Sequence, residues 1–338
     1  MKILVVRFSS IGDVVLTTPV VRCLSQQLPG TEIHFITKQA FLPVLQGNPY
    51  ISRIITVQSS VKEKMAELKA ENYDLVIDLH RNVRTLKLKM ALGKKSHTFP
   101  KKNIQKFLLT NFKIDRMPAV HVVDRYFEAV KPLGVKNDGL PCDLFLDDSD
   151  AVAFPPELAN TSFICVAMGA QFATKQMPVQ LMADVLSTVR VPVVLLGGPG
   201  DIDRAERLKL LLKEQIVIDF CGKLSLRASA FVVSKASALL TGDTGLMHIA
   251  TAFSVPVVSV WGNTVPAFGM YPYAQPELYS IHEVTGLSCR PCSKIGYQAC
   301  PKKHFNCMHL QDAGTIAKAL NGSSDRMSGQ QDLKSSGL

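Results

Sequence analysis

Apolar and polar positions alternate along this chain in two rhythms. Residues 2–7 form a short β-branched run that closes on the turn signal Ser9-Ser10-Ile11-Gly12. From Asp13, the residues Val14, Leu16, Val20, Val21 and Leu24 fall about a helical turn apart, up to a Leu28-Pro29-Gly30 stop. That spacing predicts one amphipathic helix. Strands are expected over 33–37, 54–57 and 74–79, with a short helix over 42–45 and a charged one over 61–70. The rhythm breaks over 143–162, where Asp147-Asp148-Ser149-Asp150 and Pro155-Pro156 read as a linker. It then restarts, with strands over 163–168, 193–196, 216–219, 238–240 and 257–260 and helices over 179–189, 204–212, 228–233 and 246–253.

Near-continuous apolar strands separated by helices define parallel sheets covered on both faces. The expected fold class is therefore α/β, with two Rossmann-like doubly wound domains over 1–150 and 151–320 that point their loops into a shared cleft. The tail over 321–338 is rich in Ser, Gly and Gln and is expected to be disordered.

Composition narrows the classes. With 338 residues, 47% apolar and 20% charged, the chain has material for two packed cores. No secretory leader is legible, and no apolar run approaches the ~18 residues of a membrane span. The expected location is cytoplasmic, with peripheral contact at the inner membrane allowed. The net charge of +10 is uneven. No acidic residue lies between Asp78 and Asp115, while Arg81, Arg84, Lys87, Lys89, Lys94, Lys95, Lys101, Lys102, Lys106 and Lys113 do. Such a block attracts phosphates or acidic sugars, or serves only as a solvated face.

Three turns carry candidate chemistry. In Arg7-Phe8-Ser9-Ser10-Ile11-Gly12-Asp13, Gly12 permits close backbone approach. Asp13 is either a helix cap or a general base. In Thr241-Gly242-Asp243-Thr244-Gly245-Leu246-Met247-His248, the N–H groups of Thr244, Gly245 and Leu246 make an anion site at a helix start. His248 follows one turn in, and Asp243 either caps the helix or holds a sugar hydroxyl. An ordinary capped turn with a core histidine would have the same sequence. In the third, 169–175, Lys175 offers a point charge to a diphosphate, and Asp201 in a later Gly-rich turn suits a ribose diol. Neither a dinucleotide fingerprint nor a Walker motif occurs.

Cys289, Cys292, Cys300 and Cys307 fall within nineteen residues. The short first spacing suits two thiolates on one metal, so a structural zinc is a candidate, with His304 and His309 in reserve. Free thiols explain the same pattern.

The motifs Ser9-Ser10-Ile11-Gly12-Asp13, Gly169-Ala170 with Lys175, Gly222-Lys223-Leu224-Ser225-Leu226 and Asp243-Thr244-Gly245-Leu246-Met247-His248 occur in a telling order. In order and spacing the chain resembles glycosyltransferase family 9, the lipopolysaccharide heptosyltransferases, over about 1–320. The resemblance implies a GT-B fold, an ADP-sugar donor and inverting transfer of a heptose, with no cofactor required for the chemistry. It makes Asp13 the catalytic base and places Gly12, Gln171, Lys175, Asp201, Asp243, Thr244, Gly245, Leu246 and His248 around the donor. It sets Arg81 and Arg84 toward a lipid-linked acidic acceptor of the lipid A/Kdo type, and it implies no nucleic-acid partner. One departure stands out: Asn263 follows Gly262 where many members have proline, which bears on the donor sugar. The competing readings are a nucleotide-sugar epimerase on the same architecture and a non-catalytic polyanion-binding protein.

Overall fold

The structure is a computed structural model that describes residues 1–158 and 161–335, with 325–335 by backbone alone. It divides into two units, Met1–Asn103 with Ala119–Asp147, and Ile104–Pro118 with Asp148–Leu338. The boundary thus falls at Asp147, close to the acidic linker the sequence marks. The stretch 104–118 belongs to the second unit although it is embedded in the first half of the chain.

The first unit is built on β1 (Lys2–Val6), β2 (Glu32–Lys38), β3 (Arg53–Val57), β4 (Leu75–Asp78) and β5 (Ser96–Thr98), all parallel in the order β3-β2-β1-β4-β5. Central β1 pairs on both edges, and its Ile3, Leu4, Val5 and Val6 are fully buried. A strand covered on both faces has no polar side to alternate with, so its sequence is a solid apolar run.

The single helix expected from Asp13 to Leu28 is two helices, Ile11–Val15 and Thr18–Gln27. Pro19 explains the break. It has no N–H for the carbonyl a turn earlier, but it fits the first turn of a new helix. The freed carbonyl is taken by a side chain: Thr18 Oγ1 donates to Val15 O at 2.8 Å.

The second unit carries β6 (Ile164–Ala167), β7 (Val193–Leu196), β8 (Val217–Asp219), β9 (Ala238–Gly242), β10 (Val257–Trp261) and β11 (Tyr279–Glu283), parallel in the order β11-β10-β9-β6-β7-β8. Alternation along β6 splits its apolar run between two cores. Ile164 and Val166 join Leu240, Val258 and Val260 on one face, while Cys165 and Ala167 join Val194, Leu239 and Trp261 on the other.

Strands β5 and β11 were not legible as strands, being short or only half-buried. The stretch from Asn321, expected to be disordered, continues the helix Ala313–Ser335. Ser323 and Ser324 are buried in it, and Ser324 Oγ lies 3.0 Å from Ser237 Oγ, so tertiary contact overrides composition there. The rest of the tail, 336–338, lies outside the described residues.

Candidate active site

In a doubly wound sheet the chain runs out to one side, returns, and continues on the other. Ligands bind beyond the strand ends where it reverses. Here the reversals fall between β1 and β4 and between β6 and β9. The turns that carry Asp13, Arg81, Lys175 and Asp243 sit at those four strand ends.

At the first reversal, Asp13 is held by both oxygens. Oδ1 pairs with Arg7 Nη2 at 2.5 Å, and Oδ2 accepts from Ser10 N–H at 3.1 Å and Ser10 Oγ at 2.8 Å. The second grip is the returning half of a capping box, so Asp13 does serve the helix start. Arg7, itself buried, donates to Leu79 O at 2.5 Å and Ser9 O at 2.8 Å, which ties the β1 and β4 loops together. Burial alone would raise the Asp13 pKa. The Arg7 guanidinium and the two Ser10 donors outweigh it and hold the carboxyl at about 2. Burial, with Arg7 and Lys101 adding, pushes His80 down to about 3, leaving a neutral imidazole beside a cationic rim.

Arg81 and Arg84 stand at the end of β4. Asp78 Oδ1 accepts from the His80 and Arg81 N–H groups at 3.0 and 2.7 Å, which fixes Arg81 at a left-handed φ of 51°. Arg81 Nη1 donates to Phe99 O at 3.1 Å. The Arg84 guanidinium lies 6.0 Å from the centre of the Phe8 ring, in the loop that leads to Asp13. Asp13, Arg81 and Arg84 therefore share one strand-end cluster. Gly12, expected beside the donor, lies in this first unit, buried in the helix Ile11–Val15.

At the second reversal, Lys175 Nζ pairs with Asp243 Oδ2 at 2.6 Å, and Thr264 Oγ1 donates to the same oxygen at 2.8 Å. Asp243 thus neither caps the helix nor stands alone as a negative charge, because Lys175 neutralises it. The approach is tight. A Cβ on Gly242 would lie 2.5 Å from Lys175 O, which only glycine allows. Thr244 is the N-cap of the helix Gly245–Ala252, whose first N–H groups have no preceding turn to bond. His248 is buried on that helix, and the side chain of Gln171 is exposed.

Asp201 lies at the end of β7, between two glycine loops. It accepts from Gly198 N–H at 2.9 Å, and a Cβ on Gly169 would lie 2.1 Å from its Oδ2. One of those loops leads to Lys175.

The four clustered cysteines are free thiols, Cys307 buried and the others half-buried. Cys289 Sγ lies 3.9 Å from His304 Nε2. Among the described residues, the group of three metal-capable side chains within 4.8 Å of one another is Glu32, His34 and Glu71. It is no obvious metal centre, since Lys2 and Arg53 already pair with its carboxylates.

Sequence reasoning missed Arg7, Thr264 and Arg290. Arg7 was visible as a charge ending a buried strand, and Thr264 as the neighbour of the Asn263 departure. Arg290 was hidden inside a segment read only for its thiols.

Two parallel doubly wound units, with an anion-suited turn in one and a held carboxylate in the other, define the architecture of GT-B glycosyltransferases. The chain belongs to glycosyltransferase family 9 (heptosyltransferase), whose model matches residues 63–298. It is 27% identical over 327 residues to lipopolysaccharide heptosyltransferase 1 of Pseudomonas aeruginosa, covering 87% of this chain and 86% of that one. The family 9 glycosyl transferase of Veillonella parvula superposes with a TM-score of 0.75 at 22% identity, over 96% of this chain and 97% of that one. The Escherichia coli heptosyltransferase WaaC with ADP gives 0.68 at 22% identity, over 96% and 100%.

Proposed function

We propose that the protein moves a heptose, or a related sugar, from an ADP-sugar to the lipid-linked acidic inner core of lipopolysaccharide, inverting the anomeric carbon. The observation that carries the reading is the Lys175–Asp243–Thr264 group beside the start of the helix Gly245–Ala252, at the reversal point of the second sheet. A cation and free N–H groups there suit a departing diphosphate. The P. aeruginosa relative is named for lipopolysaccharide, and the E. coli structure carries ADP.

In the proposed reaction an acceptor oxygen attacks the anomeric carbon as the bond to ADP breaks. Asp13 takes the acceptor proton, and ADP leaves against Lys175 and the N–H groups of Thr244, Gly245 and Leu246. His248, Gln171, Gly12, Asp201 and Asp243 complete the donor set. No cofactor enters the chemistry.

ADP should raise the melting temperature, since a ligand bound only by the folded state adds about 2.7 kcal/mol at a hundredfold excess over Kd. Differential scanning fluorimetry with ADP, UDP and GDP tests this, and a preference for either of the latter sinks the donor assignment.

The acceptor belongs, in this reading, to the first unit. Guanidinium forks match carboxylate and phosphate oxygens, so Arg81 and Arg84 are assigned to the acidic sugar. The helix Val83–Leu92 that follows exposes Val83, Leu86 and Met90 along one face, with Lys87 among them. An apolar stripe with cations suits the bilayer surface in which a lipid-linked acceptor sits. No helix among the described residues is long and apolar enough to cross a membrane, so contact on the cytoplasmic face would be peripheral. Replacing Arg81 and Arg84 by Gln should raise the acceptor KM roughly tenfold or more and leave ADP binding alone. Unchanged acceptor kinetics would return the basic block to a solvated face.

A structural zinc on Cys289, Cys292, Cys300 and Cys307 also belongs to the proposal. Burial first, then its neighbours Cys292, Cys300 and Cys289, push the Cys307 thiol up to about 11, so the thiols are near enough to oppose each other's ionisation. A divalent cation reverses that opposition, although the thiols must draw together to bind it. Elemental analysis of protein purified without chelator should give about one zinc or iron per chain. Far less metal, with four titratable thiols, rejects the site.

A further inference from the structure

The segment 289–311 has little regular structure beyond the single-turn helix Asn306–His309. It nevertheless bonds to the loop after β6 that carries Lys175 and to the loop after β10 whose Thr264 donates to Asp243. On the β6 side, Tyr297 N–H donates to Thr174 Oγ1 at 2.8 Å, and the Thr174 N–H and hydroxyl both donate to Tyr297 O at 3.1 Å. Gly296 lies so close to this loop that a Cβ on it would stand 2.5 Å from Phe172 Cβ. On the β10 side, Cys292 N–H donates to Asn263 O at 3.2 Å and Gln311 Nε2 to Trp261 O at 3.2 Å. Met308 packs against Gly262, where a Cβ would meet its Cε at 2.7 Å. The segment is held in turn by Lys113, whose Nζ donates to Pro291 O at 2.7 Å.

Arg290 makes the densest set of these bonds. Its Nε donates to Gly262 O at 2.6 Å, Nη2 to Thr264 O at 2.9 Å and Nη1 to Val284 O at 3.1 Å. Nη2 also pairs with Glu283 Oε2 at 2.5 Å, and the side chain is only 6% exposed. A planar fork of five N–H groups spans carbonyls that lie several ångströms apart, which the compact ammonium of a lysine, with its donors on one atom, does not. Gly262 and Thr264 leave the end of β10 and Val284 the end of β11, where no further strand orders them. The residue so fixed, Thr264, donates to Asp243, and Thr174 directly precedes Lys175. Lys175 therefore lies on a loop tied directly to this segment, and Asp243 is reached from the same segment through Thr264.

We infer that Arg290 is a positioning residue of the donor site, acting through Thr264 and Asp243 on Lys175 and not on the donor itself. Thr174 and Tyr297 form the matching tie on the other loop. The inference rests on the reading of Lys175 and Asp243 as the diphosphate site.

Calorimetric titration of ADP and donor kinetics test it on Arg290→Gln, Arg290→Lys and Thr174→Val. Arg290→Gln should raise the ADP Kd and the donor KM roughly tenfold, with the acceptor KM unaltered. Arg290→Lys, whose donors sit on one atom and cannot span the same set of carbonyls, should fall between it and wild type. Thr174→Val loosens the same pair from the other loop, and it carries the test if Arg290→Gln does not fold. In a Lys175→Met background, Arg290→Gln should cost less than about twofold, because no pair is left to position. An unshifted Kd in Arg290→Gln or Thr174→Val overturns the inference. So does an equal loss with and without Lys175, which is what a merely structural role would give. A wild-type protein that binds no ADP overturns the donor reading and the inference together. Normal wild-type binding with unshifted variants overturns the inference alone.

Discussion

Asp13→Asn and Asp13→Ala should both lose transfer by roughly 10²–10⁴-fold, the span of a missing general base. Both should bind ADP with near-native affinity. The pair of variants separates two roles that the geometry superimposes. Asp13 closes a capping box with Ser10 and pairs with Arg7, so it has structural work whatever the chemistry. An asparagine keeps an oxygen for Ser10 N–H and most of the cap, whereas alanine gives it up at a cost of about 1 kcal/mol. If capping were the whole role, the asparagine variant would keep most of its turnover. If Asp13 takes the proton, both are equally inactive; both give up the ion pair with Arg7, and the alanine variant alone also gives up the Ser10 bonds. Steady-state kinetics beside thermal melts of the two proteins decide between these outcomes.

A carboxyl held at about 2 is a weak base toward a resting sugar hydroxyl. It suffices when the hydroxyl becomes acidic as its oxygen bonds to the anomeric carbon, and its low pKa keeps it ionised at any working pH. The depressed value has a consequence for stability. A folded pKa below the unfolded one stabilises the fold above the unfolded value, 3.8, and that contribution is lost as the pH falls through about 2. The shift corresponds to roughly 2 kcal/mol. Carboxyl-carbon NMR of Asp13 should show a midpoint near 2. A midpoint near 4 would mean that Arg7 does not hold it.

The central strands were legible because burial on both faces leaves solid apolar runs such as Ile3 to Val6 and Ile164 to Ala167, unlike the half-buried edge strands β5 and β11. The helix break at Pro19 was missed because periodicity continues through it, with Val20, Val21 and Leu24 still a turn apart. Asp13, Lys175 and Asp243 were legible as motif residues at strand ends. Their partners were not, because pairing is decided by topology. Arg7 meets Asp13 across a tight turn, but Thr264 reaches Asp243 from a neighbouring strand, and Arg290 reaches Thr264 from a segment with no periodicity at all. Asp201 shows the converse. Its place after a glycine turn suggested a ribose contact, and only the missing Cβ atoms of Gly169 and Gly197 reveal how closely the loops enclose it.

Lys175→Met should lower ADP affinity by roughly 10²-fold, more than the loss of one cation contact would suggest. The substitution removes the charge that faces the diphosphate and also strips Asp243 of its counter-ion. Asp243 would keep only the Thr264 hydroxyl, and its half-buried carboxylate would then repel the incoming phosphates. Breaking such a pair from one side is costly because the remaining charge is left uncompensated. Removing both charges together should cost less. The double variant Lys175→Met with Asp243→Asn should regain part of the affinity that Lys175→Met loses, since an amide can still accept from Thr264 without opposing phosphate. Calorimetric ADP Kd values for the wild type, both single variants and the double variant form a closed cycle. A coupling of about 1 kcal/mol or more is expected for charges in direct contact. Strictly additive losses would mean that Lys175 and Asp243 meet the ligand independently, and the neutralising role assigned to Lys175 would then be wrong.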